Sequence, residues 1–276
     1  MKDGLIITGL SLVPRNLVSR VMGMFGRSHL PRFLLDPILR WYVGHYGVNL
    51  SECVGGLGDY NSLVDFFTRP LLPEARPICP DPDAIVSPVD GKVYAIGAIV
   101  DGRLPQAPDL DYAVADLLGG DDRYEGGQFA VIYLSPKDYH RVHTPREGSV
   151  VGWRYRPGEL WPVFPAATRK VRDLFAKNER MVARLDTDAG EIAVVMVGAF
   201  GVGRMRTTFC DLISNAGEPR VDGAVEPPMA IERAGELGRF EMGSTVVLVF
   251  PAGRALWSVE PGATVRLGER IGGIPA

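Results

Sequence analysis

Two patterns of hydrophobic residues follow one another along this chain, first one with helical spacing and then one typical of strands. From Leu10 onward, apolar residues recur at the three- and four-residue spacing of a helix, and the arginines stay mostly off that stripe. A second segment after Pro31 repeats the pattern, with Pro37 expected in its first turn. The apolar positions of the two segments are Leu10, Val13, Leu17, Val21, Met24, Leu34, Ile38, Trp41 and Tyr42. The pattern predicts two amphipathic helices near the start of the chain.

From Ala84 the pattern changes to short apolar runs separated by glycine and proline, which is typical of strands. The runs are Lys92 to Val100, Gln128 to Leu134, Val150 to Tyr155, Met181 to Leu185, Glu191 to Ala199, Val246 to Phe250 and Val265 to Leu267. Two helical interruptions are predicted, over Asp109 to Leu118 and over Ala166 to Asn178. The expected fold is α+β and mainly β, with N-terminal amphipathic helices followed by a β-rich, barrel-like or sandwich-like body.

A proline-rich connection between Pro73 and Pro82 separates these two parts, because helix cannot continue through it. We therefore predict a helical arm over residues 1–70 and a β-rich domain over residues 71–276.

The arm is basic, although the whole chain has a formal net charge of −3. Its first 50 residues contain the basic side chains of Lys2, Arg15, Arg20, Arg27, Arg32 and Arg40 against the acidic side chains of Asp3 and Asp36. The overall charge argues against a nucleic-acid binder, and no apolar run approaches the roughly 18 residues that would span a bilayer. Two interpretations of the arm fit the pattern. Its helices pack on their own domain, or they dock on an anionic membrane surface.

The candidate chemistry centres on Ser244, which follows Gly243 and opens directly into the apolar run that ends at Phe250. A Gly-Ser pair at the start of a strand commonly forms only a turn. A serine becomes a nucleophile, however, when a base and an orienting carboxylate accompany it. The candidates for those groups are Asp90 in an Asp-Gly turn, and His140 and His143 three residues apart. We predict no metal site, because no third ligand of suitable spacing accompanies the histidines.

Five stretches, in this order, carry a resemblance to a known family. They are Asp65 to Leu71, Ser87 to Gly91, Tyr139 to His143, Leu174 to Arg180 and Gly243 to Thr245. With these motifs the chain resembles the phosphatidylserine decarboxylases of the bacterial and mitochondrial type over almost its whole length. One departure is Met242, which stands where the family usually has leucine. Because the two side chains are similar in volume and polarity, we expect the chemistry to be unaffected.

The resemblance implies an enzyme that processes itself. Decarboxylation leaves electrons on the α-carbon, for which ordinary side chains offer no sink. In similar proteins a serine attacks the carbonyl of the preceding glycine, and elimination and hydrolysis then cleave the chain. For this chain, that implies cleavage between Gly243 and Ser244 and a covalent pyruvoyl group formed from Ser244. The implied reaction converts phosphatidylserine to phosphatidylethanolamine and CO2 through a Schiff base.

The same resemblance implies roles for the other candidates. His143 is expected to deprotonate Ser244, and Asp90 to hold the His143 imidazole in the correct tautomer. His140 is expected to protonate the α-carbon during decarboxylation. The processed chains 1–243 and 244–276 are expected to stay associated. The sequence leaves the oligomeric state open, although a homodimer is common in similar proteins.

A lipid substrate favours the membrane interpretation of the arm. The resemblance then implies a peripheral protein on the cytoplasmic face of the cell membrane, with phosphatidylserine in an anionic surface as its partner. Two alternatives stay open. A serine hydrolase would use the same Asp90, His143 and Ser244, but the chain lacks the Gly-x-Ser-x-Gly elbow. A non-catalytic membrane adaptor would leave the paired histidines unexplained.

Overall fold

The computed structural model describes residue 9 and residues 13–120, 123–201, 204–241 and 244–275. It is mainly β, with its longest helices near the N-terminus, and this confirms the predicted fold class. The two long helices are α1 (Arg15–Arg27) and α2 (Arg32–Tyr46). Pro14 and Pro31 immediately precede them, and Gly47 ends α2 in the left-handed conformation that glycine adopts without strain.

The remaining helices are short. They are α3 (Leu63–Phe67), α4 (Val114–Leu118), α5 (Pro165–Thr168) and α6 (Leu174–Lys177), with single 3₁₀ turns at Leu50–Glu52, Leu57–Asp59 and Pro73–Ala75. Two of the predicted helices differ from the observed ones. Pro37 lies inside α2 beyond its first turn, because the helix already begins at residue 32. Of the predicted helix over residues 109–118, only α4 is helical, and residues 110–113 form a strand instead.

The predicted helix over residues 166–178 is divided into α5 and α6. Asp173 takes a left-handed φ of 56°, which a continuous helix does not allow. The buried amide of Gln106 satisfies the backbone groups freed by this break. Its Nε2 donates to the carbonyls of Thr168 and Val171, at 2.6 and 2.7 Å, and its Oε1 accepts from the Leu174 amide at 2.8 Å. A distant side chain therefore stabilises a break that the local pattern does not predict.

Antiparallel strands form the body of the protein. The strands are β1 (Ala84–Val86), β2 (Gly91–Ala98), β3 (Arg103–Ala107), β4 (Leu110–Ala113), β5 (Gln128–Leu134), β6 (Arg141–His143), β7 (Gly148–Arg156), β8 (Arg180–Thr187), β9 (Gly190–Gly198), β10 (Met205–Thr207), β11 (Val221–Ile231), β12 (Glu236–Phe240), β13 (Ser244–Phe250), β14 (Leu256–Trp257), β15 (Thr264–Val265) and β16 (Arg270–Gly273). Eight of them form one sheet in the order β11-β7-β8-β9-β13-β5-β2-β15. Across the described residues this sheet ends at β11 and β15 without closing, so it is an open sheet and not a barrel.

The central strand β13 is buried along its whole length, and its side chains alternate between two cores. Val246, Leu248 and Phe250 pack into the cluster that includes residues of the shorter strands β1, β6, β12 and β16. Val247 and Val249 point into the opposite cluster, which includes residues of α4 and α6. Burial on both faces explains why this strand is a continuous apolar run. It also fixes the position of the residues at its start.

Helix α1 turns its polar side to the body of the protein. Its side chains contact residues far along the chain through the Arg15–Glu159 ion pair, the Asn16 amide on the Gly158 carbonyl (2.8 Å), Ser19 Oγ accepting from the Gly201 amide (3.0 Å), Arg20 on Asn215 (3.0 Å) and Arg27 on Glu241 (3.0 Å). The apolar side faces outwards, with 58% of Leu17 and 72% of Phe25 exposed. Three of the basic residues of the arm therefore bind the protein itself. No helix in the described part of the chain is long and apolar enough to span a bilayer.

Candidate active site

Ser244 begins the central strand β13 and is held between two neighbouring strands. Its register partners are Leu134 at the end of β5 and Gly198 at the end of β9. Ser244 is fully buried, and no described residue forms a hydrogen bond with its Oγ atom. The hydroxyl is therefore shielded from water. The predicted cleavage position cannot be placed beside it, because Met242 and Gly243 lie outside the described residues.

Asp90 lies in the turn that leads into β2, at the same end of the strands as Ser244. Lys92 pairs with Tyr133, and Tyr133 pairs with Thr245. At a strand spacing of about 4.8 Å, the turn lies on the order of 10 Å across the sheet from Ser244. The sheet register thus brings together two residues that are far apart in the sequence.

The Asp90 carboxylate is held by an arginine and a backbone amide. Arg76 Nε donates to its two oxygens at 2.8 and 3.1 Å, and the Leu267 amide donates to Oδ1 at 2.9 Å. Arg76 also donates to Glu52 at 2.8 Å. Burial opposes the charge on Arg76, but its hydrogen bonds to Asp90 and Glu52 outweigh that effect and raise its pKa. Among the hydrogen bonds of the described residues, none joins Asp90 to His143.

His143 has a defined tautomer. Its Nδ1 lies 2.8 Å from the Ala234 carbonyl, which can only accept, so Nδ1 carries the proton. The lone pair of Nε2 then accepts from the Tyr139 hydroxyl at 3.2 Å, and the two rings stack. Burial lowers the pKa of His143, although the bond to Ala234 opposes this. The neutral imidazole presents a basic nitrogen, as deprotonation of a serine requires. The group that orients it in this structure is the Ala234 carbonyl.

His140 is fully buried and also neutral. Its Nδ1 lies 2.8 Å from the Asp138 carbonyl, and its ring centroid lies 3.9 Å from that of Phe67. Burial lowers the pKa of His140 to about 3. Its Nε2 atom is buried, and no described residue forms a hydrogen bond with it. In this state His140 offers a lone pair at Nε2, so it must take up a proton before it can deliver one there.

The backbone brings both histidines towards the segment before Ser244. Strand β6, which includes His143, pairs with β12, and β12 ends two residues before Met242. The amide of Phe240 donates to the His140 carbonyl at 3.0 Å. Next to Phe240, the buried carboxylate of Glu241 lies 2.8 to 3.5 Å from nitrogen atoms of Arg27, Arg204 and Arg206. The chain on the N-terminal side of the predicted cleavage position is thus tied to the histidine strand and to α1.

Several residues of this site have no clear sequence signal. Ala234 contributes only its carbonyl oxygen, which every residue type has. Arg76 and Glu241 are isolated charges, and the folded chain alone shows that they contact Asp90 and three arginines. Tyr139 belongs to the Tyr139 to His143 motif, but the motif does not predict its contact with Nε2 of His143.

Fold and site together define a class of protein. It is a mainly β protein with a shielded serine at the start of its central strand, and two neutral histidines and a carboxylate are carried by neighbouring strands and turns. Comparison with known proteins identifies the family. The family model described as phosphatidylserine decarboxylase matches residues 63–273.

Proteins named phosphatidylserine decarboxylase proenzyme are similar to this chain over nearly its whole length. The one from Anaeromyxobacter sp. (strain K) is 45% identical, with 99% of each chain covered. The one from Myxococcus xanthus (strain DK1622) is 40% identical at the same coverage. The one from Marinobacter nauticus is 41% identical, with 99% of this chain and 98% of the relative covered. This chain belongs to the phosphatidylserine decarboxylase family, as its motifs indicated.

Proposed function

We propose that this protein is a proenzyme that cleaves itself between Gly243 and Ser244 and then decarboxylates phosphatidylserine to phosphatidylethanolamine and CO2. The observation that carries the proposal is the position of Ser244, shielded at the start of the central strand in a chain similar throughout to proteins named as proenzymes. The reaction is that of a carboxy-lyase. The names of the relatives support both the substrate and the processing step.

Self-cleavage begins when the Ser244 oxygen attacks the Gly243 carbonyl, so that the peptide bond is replaced by an ester. His143 takes the serine proton on Nε2, the nitrogen left basic by the Nδ1–H bond to Ala234. The Tyr139 hydroxyl gives up its hydrogen bond to this lone pair when the proton arrives, and the negative charges of Glu236 and Asp90 favour the charged imidazole that forms. Elimination then releases residues 1–243 with a C-terminal carboxylate. Water replaces the nitrogen left on residue 244, which departs as ammonia.

The residues around Ser244 fit the pyruvoyl group that this sequence of steps forms. A small uncharged group suits a fully buried position whose side-chain oxygen has no hydrogen-bond partner among the described residues. A pyruvoyl group supplies a ketone carbon that reacts with the headgroup amine and accepts the electrons released with CO2. His140 takes up a proton from solvent on Nε2 and delivers it to the α-carbon after CO2 has left, and its neighbour Phe67 limits the access of water to the ring.

The two chains remain one protein after cleavage, because residues 244–276 are built into three parts of the fold. β13 pairs with β5 on one side and β9 on the other, β15 pairs with β2, and β16 pairs with β1. All seven residues of β13 are buried.

The protein acts as a peripheral membrane protein, on the cytoplasmic face, with phosphatidylserine of an anionic surface as its partner. Support comes from the outward side of α1 and α2, where large apolar side chains are exposed to solvent. They are Leu17, Met24, Phe25, Phe33, Leu34 and Trp41. Since Arg15, Arg20 and Arg27 bind the body of the protein, insertion of apolar side chains is the main attraction to the bilayer.

Intact mass under denaturing conditions tests the proposal. We expect two chains divided between Gly243 and Ser244, with the C-terminal chain gaining mass on reaction with hydroxylamine. Ser244→Ala should remain a single chain without a reactive carbonyl. A wild-type chain that stays whole on incubation would instead favour the serine hydrolase, which leaves its own backbone intact. Release of CO2 from phosphatidylserine vesicles by the cleaved protein then checks the reaction itself.

A further inference from the structure

A cavity of about 220 Å³ lies between α1 and the loops beside β10. Met24, Ala216 and the aliphatic parts of longer side chains contribute apolar surface to its lining, and the other lining residues have basic or hydrogen-bonding groups. They are Ser19, Arg20, Arg27, Arg204, Ser214 and Asn215. No carboxylate is among the described residues that line it. We call this space the arginine cavity.

The arginine cavity has more positive than negative charge around it. Glu241 is the carboxylate that pairs with Arg27 and Arg204 of the lining, at 3.0 and 3.5 Å, and it also pairs with Arg206 at 2.8 Å. Three guanidinium groups therefore share one carboxylate. The Arg204 atom in the pair with Glu241 is its buried Nε, which faces the carboxylate at 3.5 Å without a hydrogen bond to any described residue. Burial lowers the pKa of Arg204, so a bound anion would stabilise its charged form.

Short stretches of chain connect the arginine cavity to Ser244. Glu241 precedes Ser244 by three residues, and Gly198, the register partner of Ser244, ends the strand that leads to Gly201. Gly201 in turn donates its amide to Ser19 of the cavity lining. The chain thus links the cavity to Ser244 from the β9 side of the sheet.

A second cavity, of about 190 Å³, flanks the site on the β2 side, but its charges are nearly balanced. Its basic side chains are Arg69, Arg76, Lys137 and Arg266, and its acidic ones are Glu52, Asp90 and Asp138. Asp90 and Glu52 already bind Arg76 there. Of the two, the arginine cavity is the one suited to an anion.

On its other side, α1 borders an apolar groove of about 330 Å³ shared with α2. The apolar lining includes Met22, Phe25, Leu30, Leu35, Ile38 and Leu63. Apolar and cationic surfaces therefore lie on the two sides of α1. A phospholipid combines the same two chemistries in its acyl chains and in a phosphodiester with one negative charge.

We infer that the arginine cavity binds the phosphodiester of the lipid headgroup, with Arg204 and Arg27 as its charged donors. This inference rests on the proposed function and names the part of the site that selects a phospholipid over free serine. Guanidinium groups bind phosphate oxygens through paired, charge-assisted hydrogen bonds. Held in this way, the headgroup extends its amine towards Ser244. Inorganic phosphate has the same kind of charged oxygens, so the test includes it as a separate competitor.

The test compares Arg204→Ala and Arg27→Ala with Arg254→Ala, an exposed arginine on the loop after β13. Intact mass first establishes that each variant is cleaved. Steady-state decarboxylation is then measured with dihexanoyl phosphatidylserine as a monomer, which needs no membrane. We expect KM to rise about tenfold or more in both cavity variants, with kcat changed by less than about threefold. Arg254→Ala should match the wild type.

A cleaved Arg204→Ala or Arg27→Ala enzyme with wild-type KM would overturn the assignment. If Arg204→Ala is not cleaved, the KM of Arg27→Ala decides the test, because Arg27 lies on a helix at the surface of the protein. In the wild type, dihexanoyl phosphatidylglycerol should compete with substrate and inorganic phosphate should compete at least tenfold more weakly. Equal competition by inorganic phosphate would mean a free-anion site and would also overturn it. A wild type that neither cleaves nor releases CO2 would instead disprove the proposed function itself.

Discussion

Both histidines of the site lie where ionisation is unfavourable, and each has its Nδ1 proton bound to a backbone carbonyl. This arrangement leaves Nε2 as the reactive nitrogen of His143 and of His140. A carboxylate commonly orients the base of a serine site. Here the Ala234 carbonyl binds the His143 ring, and Asp90 binds Arg76. The Asp90 charge acts on His143 through space. Asp90 is therefore predicted to influence His143 by its charge and not by a direct contact.

The pH dependence of stability follows from His140. Its pKa is about 3 in the folded protein and 6.5 when unfolded, so the unfolded chain binds more protons between those values. The stability that neutral His140 contributes is therefore lost as pH falls below about 6.5, whereas Glu179, whose pKa is raised to about 7 by burial, acts in the opposite direction. Between pH 7 and pH 5 we expect His140 to cost about 2 kcal/mol of unfolding free energy.

Urea unfolding of the single-chain variant Ser244→Ala at the two pH values measures this loss. Adding His140→Gln should raise the free energy of unfolding at pH 5, relative to that at pH 7, by about 2 kcal/mol, because glutamine does not titrate. The matched control is His45→Gln, since His45 is exposed on α2. An unchanged difference in unfolding free energy between pH 5 and pH 7 in the His140→Gln background would show that His140 is not buried in its neutral form.

At the scale of elements, the hydrophobic pattern predicts buried strands well and edge strands poorly. β5 and β13 are continuous apolar runs because both of their faces are covered, and their predicted bounds are close to the observed ones. β11 was missed because it is the edge of the sheet, mostly half-buried or exposed, and contains Pro227 and Pro228. An edge strand tolerates proline, and the register with β7 shifts between Ala224 and Met229.

The same limit applies to α1. Its amphipathic pattern was clear from the sequence, but the pattern does not say which side meets the protein. The polar side does so because Glu159, Asn215 and Glu241, all distant in sequence, supply partners for its arginines. Candidate residues with a local motif, such as Ser244 and His143, could be found from the sequence. Their partners across the fold could not.

The orientation of α1 predicts how membrane binding responds to mutation. Phe25 and Phe33 are 72% and 75% exposed, and burial of a phenylalanine side chain contributes roughly 1.5–3 kcal/mol. We expect the double variant Phe25→Ser with Phe33→Ser to lose more than tenfold in affinity for phosphatidylserine-containing liposomes in flotation assays. Self-cleavage should continue, because neither side chain is among the groups around Ser244.

Leu256→Ser is the control for this prediction, since Leu256 is 62% exposed on β14. Raising salt from 0.1 to 0.5 M distinguishes the apolar mechanism from attraction by the basic arm. Apolar insertion should persist, whereas attraction of exposed arginines to anionic headgroups is screened. Full flotation of the double variant, or complete release by salt in the wild type, would contradict the role given to the apolar side.

For the whole molecule, the decisive feature is that the predicted cleavage position precedes the strand at the centre of the sheet. β13 pairs along its whole length with β5, from Ser244↔Leu134 to Phe250↔Gln128, while its other edge pairs with β9. Removing one strand would expose two others and both cores. Cleavage therefore changes how the chain can refold much more than it changes the folded structure.

We expect the processed chains 1–243 and 244–276 to co-elute in gel filtration without denaturant and to separate in concentrated urea. After dilution from urea, Ser244→Ala should refold with a yield independent of protein concentration, because its β13 is still tethered. The processed wild type must bring two chains together, so its recovery should fall with dilution. Circular dichroism and gel filtration across a hundredfold range of concentration measure both yields. Separate elution of the shorter chain before denaturation, or concentration-independent recovery of the processed protein, would contradict an interleaved central strand.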